Sequence, residues 1–125
     1  MSHKKILIAD DDPGIVLMLK TRLIKQGYEI ISAVDGLECL QLVKKEKPDL
    51  IIMDILMPQM DGHQAVEKIR GMGGVFQKIP IIVISVKEDL AFLFDGLGIE
   101  VYMPKPFDAD ELVQRVNHVL NLRRS

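Results

Sequence analysis

The sequence predicts a doubly wound α/β domain, a five-stranded parallel sheet with helices on both faces. Three observations predict it. Strand-like and helix-like stretches alternate five times along the 125 residues. Three of the strand-like stretches, residues 6–9, 50–53 and 81–84, are continuous apolar runs, the pattern of strands covered on both sides. Helical crossovers between strands require parallel pairing. The polar residues suited to chemistry follow the strands, at their carboxyl ends, where open α/β sheets place their sites. They are Asp10, Asp11 and Asp12 after the first strand, Asp54 after the third, Ser85 after the fourth and Lys105 after the fifth.

Each element has its own signal. The first strand is Ile6-Leu7-Ile8-Ala9. Asp12 and Pro13 then mark a helix start, an N-cap acid followed by proline at the first helical position. Val16, Leu19 and Leu23 form its stripe up to Gly27, with Ile15 and Met18 outside it as apolar surface. Residues 28–34 read as the second strand. Asp35-Gly36 breaks it, and residues 37–45 form a second helix with Leu40 and Val43 inward. Lys44 and Lys45 suit its negative end, and Pro48 stops it. The third strand delivers Asp54, and a third helix starts at Asp61 or Gly62 with Ala65, Val66 and Ile69 on one side. Gly71, Gly73 and Gly74 end it in a loop. Pro80 leads into the fourth strand. A fourth helix is expected over residues 88–97, with Leu90, Leu93, Phe94 and Leu97 as its stripe and Phe92 off it. Residues 100–103 form the fifth strand. A fifth helix from Asp108 turns Leu112, Val116, Val119 and Leu120 inward.

Composition narrows the function classes. With 48% hydrophobic and 27% charged residues, the chain can build one ordinary globular core. A net charge of −2 gives no electrostatic reason to expect nucleic acid as a partner. The single cysteine, Cys39, excludes an internal disulfide framework and reads as a small helix residue. No apolar run reaches membrane-spanning length and residues 1–5 open no signal peptide, so the expected location is the cytoplasm. His3, His63 and His118 lack metal-ligand spacing.

The strand ends carry the chemistry. Together they gather two or three carboxylates, a hydroxyl and an ammonium. Clustered carboxylates repel one another and call for a cation. A hard, oxygen-preferring ion such as Mg²⁺ meets that need, with waters and a backbone carbonyl completing its shell. Lys105 would pair with Asp54 as a point charge. A carboxylate so held is a competent nucleophile toward phosphorus. The cation and Lys105 would neutralise the transferring phosphoryl group, and Ser85 would hydrogen-bond one of its oxygens. The plainer alternatives are that Asp10 to Asp12 are a solvated helix start, Asp54 a turn acid, Ser85 a strand end and Lys105 a surface lysine. Three acids directly after an apolar strand exceed what capping needs; Asp12 alone is accounted for by its cap.

Four segments in order carry a family resemblance that covers nearly the whole chain. They are Ile6-Leu7-Ile8-Ala9-Asp10-Asp11-Asp12, then Met53-Asp54-Ile55-Leu56-Met57-Pro58-Gln59-Met60-Asp61-Gly62, then Ile84-Ser85, then Lys105-Pro106-Phe107. The chain resembles a receiver domain of two-component response regulators. The resemblance implies a flavodoxin-like sheet in order 2-1-3-4-5 with five helices. It implies that Asp54 accepts phosphoryl from the phosphohistidine of a sensor histidine kinase or phosphotransferase. Asp10, Asp11, Asp54 and the backbone carbonyl of Leu56 would hold Mg²⁺. Ser85 and Lys105 would occupy the family's hydroxyl and lysine positions, with Lys105–Pro106 a candidate cis peptide. Tyr102 would be the switch aromatic, on the face made by the fourth helix, fifth strand and fifth helix, where an output protein, an effector domain or a second copy would bind. The domain would span residues 1–125. Residues 122–125 read either as its end or as a linker cut short of an effector domain.

The chain departs from the family pattern near the fourth helix. Val86 stands where a small residue, most often alanine, is usual, and its β-branched side chain would narrow access to the phosphoryl group. Ser85 and Lys105 are a couple of positions closer than is common. Tyr102 also admits ordinary half-buried packing. Phe92 admits either a partner contact or a shifted core position, and Ile15 and Met18 either a donor-docking patch or core. Two other functions compete. An aspartyl phosphatase would want a second acid two residues beyond the nucleophile, where this chain has Leu56. A degenerate receiver acting only as an interaction domain is opposed by the intact acid set. The preferred expectation is a self-phosphorylating switch rather than a conventional enzyme.

Overall fold

The sheet is built from Lys5–Ala9 (β1), Glu29–Ala33 (β2), Leu50–Asp54 (β3), Ile81–Ser85 (β4) and Val101–Pro104 (β5). All four pairings are parallel, and the order is β2-β1-β3-β4-β5, as the resemblance implied. The computed structural model describes residues 3–86 and 88–122. Its α-helices are Pro13–Lys25 (α1), Gly36–Glu46 (α2), Gly62–Gly71 (α3) and Ala109–Leu122 (α4). Residues 123–125, the proposed end or linker, lie outside the described residues.

Strand alternation splits the interior into two cores. Leu7, Ala9, Ile51, Met53, Ile81 and Val83 face α2 and α3, with Cys39, Val43, Ala65, Val66 and Ile69. Ile6, Ile8, Leu50, Ile52, Ile82 and Ile84 face α1 and α4, with Leu19, Leu23, Leu112, Val116, Val119 and Leu120. Both sides of the sheet are thus covered, which is why the central strands β1, β3 and β4, apart from Lys5 at the start of β1, carry no polar side chain before their carboxyl ends.

Asp12 caps α1 as the sequence signals, and Asp35, Asp61 and Asp108 cap α2, α3 and α4. Asp12 accepts the amides of Gly14 at 2.9 Å and Ile15 at 3.4 Å. Asp35 accepts the amide of Glu38 at 2.8 Å. Asp61 and Gln64 form a reciprocal capping box, with Gln64 N–H to Asp61 Oδ1 at 2.8 Å. Asp108 accepts the amides of Asp110 and Glu111. On α1 the exposed apolar residues are Leu17, at 66%, and Ile24, rather than Ile15 or Met18. Both of those are half-buried against the second core.

The expected fourth α-helix is instead a 3-10 segment, Glu88–Phe94. The connection from β4 to β5 is short and must travel back along the sheet. At roughly 2.0 Å per residue, a 3-10 coil covers about a third more distance than an α-helix of equal length. Phe94 is buried, Leu93 and Leu97 pack partly against the first core, and Phe92 is 64% exposed. The side chain of Leu90 lies outside the described residues. The glycine-rich stretch after α3 is likewise not a plain loop: Gly74–Gln77 is a 3-10 turn.

Candidate functional site

The site sits where the strand order reverses, between β1 and β3, at their carboxyl ends. Asp10 follows β1 and is buried. Its amide donates to Ala33 O at 3.1 Å, and its Oδ1 accepts the Asp12 amide at 2.9 Å. Asp54 ends β3 and is also buried, whereas Asp11 is exposed. One oxygen from each of the three lies within 4.8 Å of the others. This hard, all-oxygen set fits a divalent cation such as Mg²⁺, with Asp11 open to solvent as the side of entry.

Lys105 reaches in from the turn after β5. Its Nζ lies 2.9 Å from Asp10 Oδ2 and 3.2 Å from Asp54 Oδ2. The ammonium therefore bridges both carboxylates, where pairing with Asp54 was the expectation from the sequence. Burial pushes the Asp54 carboxyl up to about 6, and the neighbouring Asp10 charge adds to the rise. Lys105 and the Leu56 amide oppose it. For Lys105, burial lowers the ammonium's pKa, but the hydrogen bond to Asp10 and the charges of Asp54 and Asp10 outweigh it and the net shift is upward.

Ser85 is buried at the end of β4, and its carbonyl accepts the Lys105 amide at 2.6 Å. The Lys105–Pro106 peptide is cis. Val86 is 59% exposed. With Ile15, Met18, Lys105, Pro106 and Phe107 it lines an apolar hollow of about 290 Å³ beside the site. Tyr102 is half-buried on β5, its ring 6.2 Å from Phe94, which meets the His63 ring edge-on at 5.4 Å. Tyr102 is thereby joined to the 3-10 segment through Phe94. Leu56 is 47% exposed in the loop after β3.

Two glycines set the position of that loop. A Cβ on Gly62 would stand 2.2 Å from the carbonyl oxygen of Asp54, and the Gly62 amide donates to Ile55 O at 2.8 Å. A Cβ on Gly36 would stand 2.3 Å from Met60 O, which accepts the Gly36 amide at 3.1 Å. The starts of α3 and α2 thus grip the chain on either side of residues 56–60. In the sequence Asp61-Gly62 showed only as a helix start and Asp35-Gly36 only as a strand break, because a close backbone approach leaves no local pattern. Arg70 carried no signal at all, yet its guanidinium binds backbone carbonyls of two loops.

Known proteins agree with this geometry. The family model for the response regulator receiver domain matches residues 6–117. The chain is 38% identical over 125 residues to the alkaline phosphatase synthesis transcriptional regulatory protein PhoP of Bacillus subtilis, covering 98% of this chain and 50% of that protein. It spans about half the length of the curated relatives it matches. A CheY-like receiver domain protein from Methanospirillum hungatei superposes with a TM-score of 0.90 at 26% identity, covering 98% of each chain. The response regulator TrrA of Thermotoga maritima, solved as a complex with Mg²⁺-BeF, superposes at 0.81 with 32% identity over 92% of this chain and 97% of that one. The acid cluster at the switch point, the lysine bridging it and the sheet order all fall inside the matched span, and the chain belongs to the response regulator receiver domain family.

Proposed function

We propose that this domain is a phosphoryl-accepting switch whose acceptor is Asp54. The supporting observation is the grouping of Asp10, Asp11 and Asp54 with the Lys105 ammonium at the ends of three strands. Asp10, Asp11, Asp54 and the Leu56 carbonyl would hold Mg²⁺, as the acids' spacing and the Mg²⁺-BeF complex of the Thermotoga relative suggest. When bound, Mg²⁺ supplies positive charge against the oxygens of the transferring phosphoryl group.

An Asp54 carboxylate oxygen attacks phosphorus of a phosphohistidine on a sensor kinase or phosphotransferase. The new O–P bond forms as the P–N bond breaks. The electron pair returns to the donor imidazole, whose other nitrogen carries the proton that lets it leave neutral. Lys105, already 3.2 Å from the acceptor, meets the incoming negative charge. The Ser85 hydroxyl takes a phosphoryl oxygen, and the change passes to the 3-10 segment and Tyr102, altering the surface offered to an output partner. The position two residues beyond Asp54 is the apolar Leu56, so no side chain there serves a phosphatase as proton donor.

Incubation with acetyl phosphate or phosphoramidate and Mg²⁺ tests this by intact mass. The wild type should gain one phosphoryl group and Asp54→Asn none. A wild type inert to every donor would leave an interaction domain in place of a switch.

A further inference from the structure

Arg70 stands near the end of α3, and its side chain gathers four backbone carbonyls. Nε donates to Leu97 O at 2.7 Å and Nη2 to Gly98 O at 3.1 Å. Nη1 donates to Phe76 O at 3.0 Å and Ile79 O at 2.8 Å. The first pair belongs to the turn that closes the 3-10 segment. The second belongs to the turn and linker leading into β4. A rigid planar fork suits this task, since it presents several donors at once in fixed directions.

The rest of α3 gives the clamp its meaning. At its other end Gly62 abuts the peptide of Asp54 so closely that no side chain fits between them. One helix therefore touches the acceptor strand at its start and holds the far end of the 3-10 segment at its finish. The segment hangs between two fixed points. One is Ser85, whose carbonyl is tied to the Lys105 amide. The other is the Leu97-Gly98 turn, held by Arg70 and followed by the Glu100 amide donating to Ile81 O at 2.8 Å. Between them lie exposed Phe92 and buried Phe94, the latter against Tyr102.

We propose that Arg70 is a coupling residue: it carries displacement of the Asp54 peptide through α3 to the 3-10 segment, a second route beside Ser85. The inference rests on Asp54 being the phosphoryl acceptor. Packed interfaces transmit small shifts as rigid bodies rather than absorbing them, and a helix fixed at both ends is such a body. Without the clamp the segment keeps its tie to Ser85 and the packing of Phe94 against His63 of α3, but its closing turn loses its hydrogen bonds to that helix.

Amide hydrogen exchange on the intact chain, with and without Mg²⁺ and beryllium fluoride as the phosphoryl mimic, tests it. The reporters are the Asp95 and Leu97 amides, which donate to Phe92 O and Phe94 O. The wild type should bind the mimic and change protection at these amides. Arg70→Gln should bind it too and keep wild-type protection in β1 and β3. Its Asp95 and Leu97 amides should exchange roughly tenfold faster or more and keep only a small part of the wild-type response to the mimic, the part carried through Ser85. Arg70→Lys, which keeps the charge but not the fork, should respond partially and serves if the glutamine variant does not fold. A wild-type-sized response in either variant overturns the coupling, as does a loss of protection spread evenly over the core. A wild type that binds no mimic overturns the acceptor reading itself, an outcome distinct from both.

Discussion

Asp54 is held between opposing influences, and its titration follows from them. Burial and Asp10 raise its pKa to about 6, so the folded chain holds that proton more tightly than the unfolded chain does. Stability without metal should therefore fall as pH rises from about 4 to about 6 through this group, and the penalty persists above that. A cation bound by the ionised carboxylates relieves it. Mg²⁺ should raise the Tm clearly at about pH 8 and much less at about pH 5, measured by thermal denaturation; equal gains at both would remove Asp54 from the metal site. Val86 sits exposed beside Lys105, and Val86→Ala should speed phosphoryl uptake from small donors, read as an initial rate. The acids and the lysine were legible because charged residues directly after apolar strands need a reason to be there. That Lys105 bridges Asp10 as well as Asp54 was not legible, because it depends on how β5 seats beside β4.

At the scale of the element, α3 holds the informative contrast. Gly62 and Gly71 bound the same helix, yet only Gly62 lies against backbone; nothing lies within 4 Å of a Cβ on Gly71. Gly62→Ala should destabilise by about 2–3 kcal/mol, since backbone cannot yield as a side chain can. Gly71→Ala should stabilise by about 0.5 kcal/mol through helix propensity and a less free unfolded chain. Urea unfolding of both variants distinguishes them, and equal shifts would contradict the close approach. The 3-10 segment was misread as an α-helix because apolar residues three and four apart fit either coil over one or two turns. What decides between them is the distance the connection must cover, which no local pattern records. α1 was read correctly because Asp12 and Pro13 fix its start and Gly27 its end, and α2 because Leu40 and Val43 fall between the break at Asp35-Gly36 and Pro48.

Across the whole molecule, the sheet order brings together residues far apart in sequence, and two cores hold the strand ends in place. Cys39 reports on that packing. It is fully buried on the inward side of α2, and burial pushes its thiol up to about 12, so iodoacetamide should modify it only as fast as the fold opens. Alkylation at the rate of a free thiol in native buffer would show that α2 is not docked on the sheet. Parallel pairing followed from the alternation of elements, while the order 2-1-3-4-5 followed from the resemblance. Among the described residues no helix is long and apolar enough to cross a membrane. The proposed function turns on a bond formed at one carboxylate. After incubation with acetyl phosphate and Mg²⁺, borohydride reduction followed by peptide sequencing should place a homoserine at position 54 and at no other aspartate; a homoserine elsewhere, or none in a chain that has gained phosphoryl, would show that Asp54 is not the acceptor.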